Sequence, residues 1–499
     1  LNQGLAFGRP GRPVEQIDTH AAIIFLIDDR AYKLKRAIRY SFLDFSTIEK
    51  RRRVLNAEYR LNVKTAPGLY RGLVPVAIDD NGQFALGGDG RIIDWLLEMK
   101  RFDQTALLDH VAEQGKLDTP LIKALAKEIA EQHQNAPVQQ GGGYAAMASI
   151  IDGNAADLRG LIDQIEDDAT TNSLIKATRS ELGRQHRRLD ARARTGFVRH
   201  CHGDLHLGNI FLDNDRPVLF DCLEFDESLA TIDVVYDLAF LLMDLCHRKL
   251  DSLAIDLLHA YLERTQDDDG TALLPLFLGV RATIRAKIEA FEIKTARSDT
   301  ERQQHRLAAI QYLDLAMALL NTEPPQLIAI GGLSGTGKST VARLLAHRLG
   351  PAHWPVLLRS DVIRKRRLGV EPTARLDADA YSRSQTKAVY QHLGERAATL
   401  ICAGRTVIAD ATFLDLADRK ALEGVALDLR VPFRGVWLDA PKGVLESRIQ
   451  MRTNDASDAD VSILAQQRDR DVGAITWTLV DANDDAPNIA RTVQSKIAR

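Results

Sequence analysis

The sequence predicts two domains of different class in one chain: an α+β bilobal domain over residues 1–320 and an α/β doubly wound, parallel-sheet P-loop domain over residues 326–499. Three observations lead there. Short apolar strands and one helix near the N-terminus give way to a long, mostly helical stretch, the pattern of a sheet-bearing lobe (about 15–98) followed by a helical lobe (about 99–320). Asn321-Thr322-Glu323-Pro324-Pro325 is a polar, proline-bearing linker. Directly after it, the apolar run Gln326 to Ile330 enters Gly332-Leu333-Ser334-Gly335-Thr336-Gly337-Lys338-Ser339 and then a helix, the strand–loop–helix setting of a phosphate-binding loop.

Bulk properties fit this division. At 499 residues the chain is too long for one core. With 45% hydrophobic and 27% charged residues it has an ordinary globular composition, and a net charge of -3 gives no overall drive toward nucleic acid or an anionic membrane. The four cysteines, Cys201, Cys222, Cys246 and Cys402, lack zinc spacing and are expected to be reduced thiols. No apolar run approaches the ~20 residues that span a bilayer, and no signal-peptide pattern is present, so a cytoplasmic location is expected. The chain begins at Leu1 without Met, which leaves its natural N-terminus open.

Taken in order, residues 1–20 are rich in glycine and proline and are expected to be loop. Ala21 to Ile27 and Arg30 to Arg36 form a hairpin about Asp28-Asp29, and period-two alternation puts Lys33 and Lys35 on one face. A helix is expected from Thr47 to Lys64, capped by Ser46 or Thr47, stopped by Pro67-Gly68, and carrying Glu58. A strand lysine paired with a helix glutamate is how kinase-like folds fix the lysine over the α- and β-phosphates of a nucleotide; Lys33 is preferred over Lys35 for that part. No GxGxxG run precedes the hairpin, so any cover over the phosphates must come from elsewhere, such as the Gly/Pro-rich N-terminal loop. Strands are expected at 74–78 and 83–86. The segment 92–101 is expected to lead into a helical region, with Glu98-Met99-Lys100 as a hinge and Met99 beside the adenine. Helices follow at 104–114, 120–134 and 154–194, with Gly141-Gly142-Gly143 as a break that suits a substrate loop or a linker.

The chemistry concentrates at His202-Gly203-Asp204-Leu205-His206-Leu207-Gly208-Asn209, followed by the strand Pro217–Phe220 and Asp221. An Asp, an Asn five residues on, and an Asp after the next strand make the kit of a phosphoryl-transfer loop: Asp204 takes the acceptor hydroxyl's proton, and Asn209 and Asp221 hold magnesium. Asp237, entering the apolar helix 238–245, is expected to cap or pair. Arg281 and Arg285, i and i+4 on one helical face with Lys287 nearby, are candidate contacts to an anionic acceptor.

The segment from His202 to Asn209, with Asp221, resembles the Brenner-type motif of aminoglycoside phosphotransferases and related small-molecule kinases, over roughly residues 15–320. The resemblance implies Asp204 as catalytic base, Asn209 and Asp221 as magnesium ligands, and His202 as a residue that shapes the loop. It leaves the part of His206, and the acceptor, open.

In the second domain the loop glycines let backbone amides curl around a phosphate at a helix N-terminus. Gly332, Ser334, Gly335, Thr336, Gly337 and Thr340 line it, Lys338 neutralises the β- and γ-phosphates, and Ser339 reaches magnesium. The next strand, Val356 to Leu358, leads to Arg359-Ser360-Asp361, where Asp361 faces the loop as the candidate base, with Arg364 to Arg367 beyond it. Thr406 to Ala409 ends on Asp410, a magnesium ligand or acceptor contact, and no glutamate follows to activate water. Strands at 433–439 and 477–480 complete a five-stranded sheet, and Arg448 and Arg452 precede a polar segment suited to a lid over the γ-phosphate. These residues resemble the P-loop kinases grouped with polynucleotide kinase, zeta toxin, gluconate kinase and chloramphenicol phosphotransferase, over residues 326–499.

Together the two resemblances imply a bifunctional kinase that uses ATP, with GTP left open, and Mg2+, on the hydroxyl of a small, sugar-like molecule. Arg364 would meet an anionic acceptor. Alternatives are an antibiotic-resistance kinase, a polynucleotide 5′-end kinase in the second half, and an ATP-sensing module with one inactive domain. The oligomeric state is not legible.

Overall fold

The computed structural model describes residues 4–497 apart from 20, 40–43, 89, 224–226, 372 and 452–455. Contacts group the chain into two compact units: Leu1–Ala148 with His186–Asp244, and Ser149–Gln185 with Leu245–Arg499.

The first unit is built on a six-stranded antiparallel sheet of order β1-β2-β3-β6-β4-β5. Its strands are β1 (Glu15–Asp18), β2 (Ala22–Ile27), β3 (Arg30–Lys35), β4 (Tyr70–Ile78), β5 (Phe84–Leu86) and β6 (Arg91–Lys100). Two expectations change here. Residues 1–20 are not all loop, because Glu15–Asp18 pairs with β2 as a largely exposed edge strand that carries no apolar alternation to announce it. The segment 92–101 is strand, bonded to β3 on one side and β4 on the other. Helix α1 (Ile48–Thr65) starts where Thr47 accepts from the Lys50 amide, and it buries Arg51, Leu55, Glu58 and Asn62. That i, i+4, i+7, i+11 spacing is one helical face, so Glu58 is carried inward with the apolar stripe.

Helices α2 (Leu108–Glu113), α3 (Thr119–Asn135) and α4 (Gly143–Arg159) follow, then α5 (Ile162–Ile165) and α6 (Asp168–Arg194). The helical run expected at 154–194 is broken where Glu166 takes a left-handed backbone, φ 60°. Strands β7 (Val198–His200), β8 (Ile210–Asp213), β9 (Arg216–Leu219) and β10 (Thr231–Asp233) form two small antiparallel pairs, β7 with β10 and β8 with β9. With α7 (Glu227–Ala230) and α8 (Val234–His247) they frame the loop that carries Asp204.

The second unit contains α9 (Asp251–Thr265), α10 (Leu274–Thr295), α11 (Asp299–Leu320) and a five-stranded parallel sheet. The strands β11 (Leu327–Gly332), β12 (Val356–Arg359), β13 (Val407–Asp410), β14 (Phe433–Asp439) and β15 (Thr478–Asp481) lie in the order β12-β13-β11-β14-β15. The central β11 is buried along its whole length, as a strand covered on both faces must be. Its neighbours β13 and β14 lie on opposite sides, so the loop after β11 opens at the point where the strand order reverses. The helices of this part are α12 (Lys338–Leu349), α13 (Ser360–Arg367), α14 (Arg383–Cys402), α15 (Leu416–Leu429), α16 (Lys442–Gln450), α17 (Val461–Asp469) and α18 (Ala486–Ile497).

Residues 321–326 carry no regular structure, yet helices on both sides of them pack together in this unit. Residues Ala254 to Leu262 of α9 are buried without a break. His347 of α12 bonds Asp256 at 2.7 Å, and His259 bonds the Pro355 carbonyl at 2.8 Å. Arg396 of α14 forks onto Asp268 with two contacts of 2.7 Å, and Arg366 of α13 donates to the Arg264 carbonyl at 2.6 Å. Among the described residues no helix is long and apolar enough to cross a membrane.

Two candidate phosphoryl-transfer sites

In the first unit, strand alternation and the inward face of α1 bring Lys33, Lys35 and Glu58 into one buried cluster. Lys33 Nζ lies 2.8 Å from Glu58 Oε1 and 2.6 Å from Asp221 Oδ1, and Lys35 Nζ lies 2.9 Å from Glu58 Oε2. Burial alone would raise the Asp221 pKa, but Lys33 and then Lys35 outweigh it and hold the carboxyl below its usual value. Asp221 adopts a left-handed backbone, φ 60°, and its amide donates to the Tyr70 hydroxyl at 3.1 Å. The next amide, of Cys222, donates to Asn62 Oδ1 at 2.8 Å, and Asn62 Nδ2 donates to the Glu58 carbonyl. The helix that carries Glu58 thus also grips the Asp221 segment.

Asp204 and Asn209 meet across the loop. Asn209 Nδ2 donates to Asp204 Oδ2 at 3.0 Å and to its carbonyl at 2.9 Å, which leaves the Asn209 Oδ1 as an acceptor. His202 Nε2 donates to the Phe220 carbonyl at 2.9 Å while Nδ1 accepts from the Asp204 amide at 3.3 Å. His206 Nδ1 accepts from the Gly208 amide at 3.2 Å, which assigns the ring proton to Nε2, 3.5 Å from Asp204 Oδ2. Gly203 has φ 83°, and a Cβ there would sit 2.9 Å from that of Leu223, so the loop needs glycine at this point.

Two residues tie this loop down in a way that the sequence did not announce. Asp237 accepts from the His202 amide (3.1 Å), the Gly203 amide (2.8 Å) and His133 Nε2 (3.1 Å), and Asp244 accepts from the Leu207 amide at 3.0 Å. Asp237 therefore pairs, as expected, and its partners include the loop and His133 of α3. The signal was present: two carboxylates in the apolar α8 must be buried, and buried charges need partners. Met99 is the last residue but one of β6, half-buried against the cluster of Leu55, Leu69 and Leu97.

In the second unit the phosphate-binding loop lines a cavity of about 980 Å³. Gly335 has φ 87°, and a Cβ there would fall 2.7 Å from the Leu445 carbonyl oxygen. Ser339 Oγ donates to Asp410 Oδ2 at 2.5 Å, and Arg359 Nε lies 3.5 Å from the same oxygen. Lys338 Nζ donates to the Leu333 carbonyl at 2.9 Å, and the Ser334 amide donates to Gln467 of α17 at 2.9 Å. Asp361, in the first turn of α13, shares the cavity with Asp410; burial and then the Asp410 charge raise its pKa. Tyr390, also lining it, is pushed up to about 12 by burial.

Arg364 donates to the Ala380 carbonyl (2.8 Å) and lies over the Tyr381 ring (4.6 Å). Asp458, after the undescribed segment, accepts from Lys365, Tyr381 and the Leu376 amide, so the expected lid is pinned at that end. Arg448 lines the cavity and donates to the Ala482 and Asp484 carbonyls, while Arg452 lies outside the described residues. Thr340 lines the cavity too. On α10, Arg285 pairs with Glu289 at 3.6 Å and lies over the Tyr312 ring, Lys287 pairs with Asp157, and Arg281 is buried.

Comparison with known proteins finds two family matches along the chain. The phosphotransferase enzyme family matches residues 145–274, and the AAA domain matches residues 327–471. An uncharacterized protein of Mycobacterium tuberculosis, strain H37Rv, is 30% identical over 468 residues, which span 91% of this chain and 90% of its own; one from Mycobacterium bovis matches to the same extent. Among solved structures, a gluconokinase from Sinorhizobium meliloti 1021 covers 35% of this chain and 93% of its own, at 23% identity and TM-score 0.27. A choline/ethanolamine kinase family protein from Mesorhizobium loti covers 62% of this chain and 88% of its own, at 13% identity and TM-score 0.38. The chain belongs to the family of these mycobacterial proteins: it is a phosphotransferase that joins a phosphotransferase-enzyme-family domain to a P-loop kinase-type domain.

Proposed function

We propose that the chain is a bifunctional phosphotransferase with one catalytic centre in each unit, both transferring the γ-phosphoryl group of ATP to a hydroxyl of a small molecule. The observation that carries the proposal is the completeness of both side-chain sets: Asp204–Asn209 with Lys33–Glu58–Asp221 in one unit, and Lys338–Ser339–Asp410 with Asp361 in the other. The catalytic domains would run over 1–320 and 326–499, joined by 321–325, in a cytoplasmic protein.

In the first centre Asp204, held by Asn209, accepts the acceptor's hydroxyl proton as that oxygen bonds to the γ-phosphorus. The bond from the γ-phosphorus to the β–γ bridging oxygen breaks, and ADP keeps that oxygen. Lys33 meets the α- and β-phosphates, Glu58 orients it, and the end of β6 at Met99 offers backbone to the adenine. In the second centre Asp361 is the base, the loop amides and Lys338 hold the phosphates, and Arg448 and Arg452 approach the transferring group. Arg281, Arg285 and Arg364 are the proposed contacts to an anionic acceptor. Oxygen donors at Asn209, Asp221, Ser339 and Asp410 suit a hard cation such as Mg2+. Bound there, it would neutralise charge that develops on the phosphates.

Successive phosphorylation of one sugar-like metabolite is the form of the proposal that accounts for joining two such centres. An antibiotic kinase, a 5′-end kinase and a one-sided ATP sensor are the rivals. A metabolite library screened for ATP-dependent phosphate transfer, with the Asp204→Asn and Lys338→Ala chains in parallel, tests it. Two separable transfers are expected. If both variants leave double phosphorylation of the identified acceptor unchanged, the proposal is wrong.

A further inference from the structure

The first unit holds one more lysine at its centre than a single lysine–glutamate pair requires. Lys33 and Lys35 are two positions apart on β3, both are buried, and each takes a different oxygen of the same carboxylate. Glu58 is 0% exposed, so neither oxygen has water to fall back on. Lys33 carries a second load, Asp221, at 2.6 Å. Lys35 is set for one position: it is 5% exposed, and its ammonium stands 5.6 Å over the ring of the buried Phe45.

We propose that Lys35 is a second nucleotide-positioning lysine, which holds Glu58 through Oε2 so that Lys33 is free to turn from Asp221 to the phosphates of a bound nucleotide. The inference rests on the reading of this cluster as a nucleotide site. Two ammonium groups and two carboxylates balance as they stand. Once Asp221 serves a cation, Lys33 lies between Glu58 and the phosphates, and a buried glutamate with no other partner would compete for it strongly. With Lys35 seated on the second oxygen, Glu58 stays neutralised after Lys33 shifts. Lys35 touches no reacting atom in this account, so it is a positioning residue. It also adds to the positive field that keeps Asp221 ionised.

The test is binding of a non-hydrolysable ATP analogue with magnesium, and of adenosine, to the full chain by calorimetry, with the other site silenced by Lys338→Ala. Lys35→Met is expected to weaken the analogue about tenfold while adenosine binding holds, and Lys35→Arg is expected to recover most of the loss. Should Lys35→Met melt below the assay temperature, Lys35→Gln takes its place with the same outcomes. Unchanged analogue binding in Lys35→Met, with weakened binding in Lys33→Met, overturns the proposal but keeps the site. Equal losses for the analogue and adenosine reduce Lys35 to a structural part and also overturn it. If neither Lys33→Met nor Asp221→Asn alters binding, the nucleotide-site reading itself fails.

Discussion

The two candidate centres arrange similar chemistry in opposite ways. In the second unit the phosphate-binding parts sit close to backbone features: Gly332 to Ser339 are consecutive, Asp410 ends β13, and Asp361 lies in the first turn of the helix that follows the adjacent β12. In the first unit the parts come from far apart: Lys33 from β3, Glu58 from α1, Asp204 and Asn209 from a loop, and Asp221 from beyond β9. What joins them is a lattice of buried bonds through Tyr70, Asn62, Asp237 and Asp244. A local site draws its geometry from backbone and strand order. A dispersed one depends on side chains that never meet the reactants, so it offers more places at which it can be broken.

The largest effects should come from the residues proposed to meet the reactants. Asp204→Asn and Lys338→Ala should each remove one transfer by about 10³-fold or more and leave the other near its parent rate. Loss of both transfers in either variant, with each centre supplied with its own acceptor, would merge the two centres into one.

Next comes Asp237→Ala, which removes the acceptor of the His202 and Gly203 amides and one contact of His133. Buried groups orphaned in this way cost roughly 1–3 kcal/mol each, so first-unit transfer and thermal stability should fall together while second-unit transfer holds. Among the described residues the second unit's loop shows one amide held by a side chain, Ser334 on Gln467, while the Gly332 and Thr336 amides donate to the backbone carbonyls of Thr412 and Leu333. Gln467→Ala should therefore change second-unit activity only a few-fold.

Asp268→Asn breaks the buried fork onto Arg396 and should cost about 3–5 kcal/mol. The loss should be seen as a lower melting temperature of the second unit, although Asp268 lies in the stretch matched to the phosphotransferase enzyme family. For the same reason an isolated 326–499 fragment, cut away from α9, should be markedly less stable than the full chain.

The smallest effect is one of sign. The Asp361 pKa is raised, so this group keeps its proton to a higher pH than an ordinary carboxylate. A base must be deprotonated, so second-unit transfer should be lost, as pH falls, at a pH above the usual carboxylate range. Asp361→Asn removes a like charge that shares the cavity with Asp410 and should raise the neutral-pH melting temperature by about 2–4 °C while abolishing that transfer. A lower melting temperature would contradict the repulsion.

The same contrast explains what could be read in advance. The loop at 332–339 and the segment 202–209 with Asp221 are legible because their chemistry is written in consecutive residues. Lys33 and Glu58 were legible only as an order along the chain, since strand and helix periods place them on facing surfaces. Asp237 as the anchor of the loop was not legible, because its partners lie 34 and 35 residues away and meet it only through packing. Nor was the grouping of residues 149–185 and 245–320 with the parallel sheet, which rests on pairs such as His347–Asp256 and Arg396–Asp268. The edge strand β1 escaped because four residues, three of them exposed, carry no pattern.

The central claim is two independent nucleotide-using centres in one chain, and counting them needs no knowledge of the acceptor. Equilibrium binding of a non-hydrolysable ATP analogue with magnesium to the full chain should show two sites per chain. It should show one in Lys338→Ala, one in a Lys33→Met/Asp221→Asn double variant, and none when all three changes are combined. A single site in the parent chain, or loss of both sites from either change alone, would contradict the account.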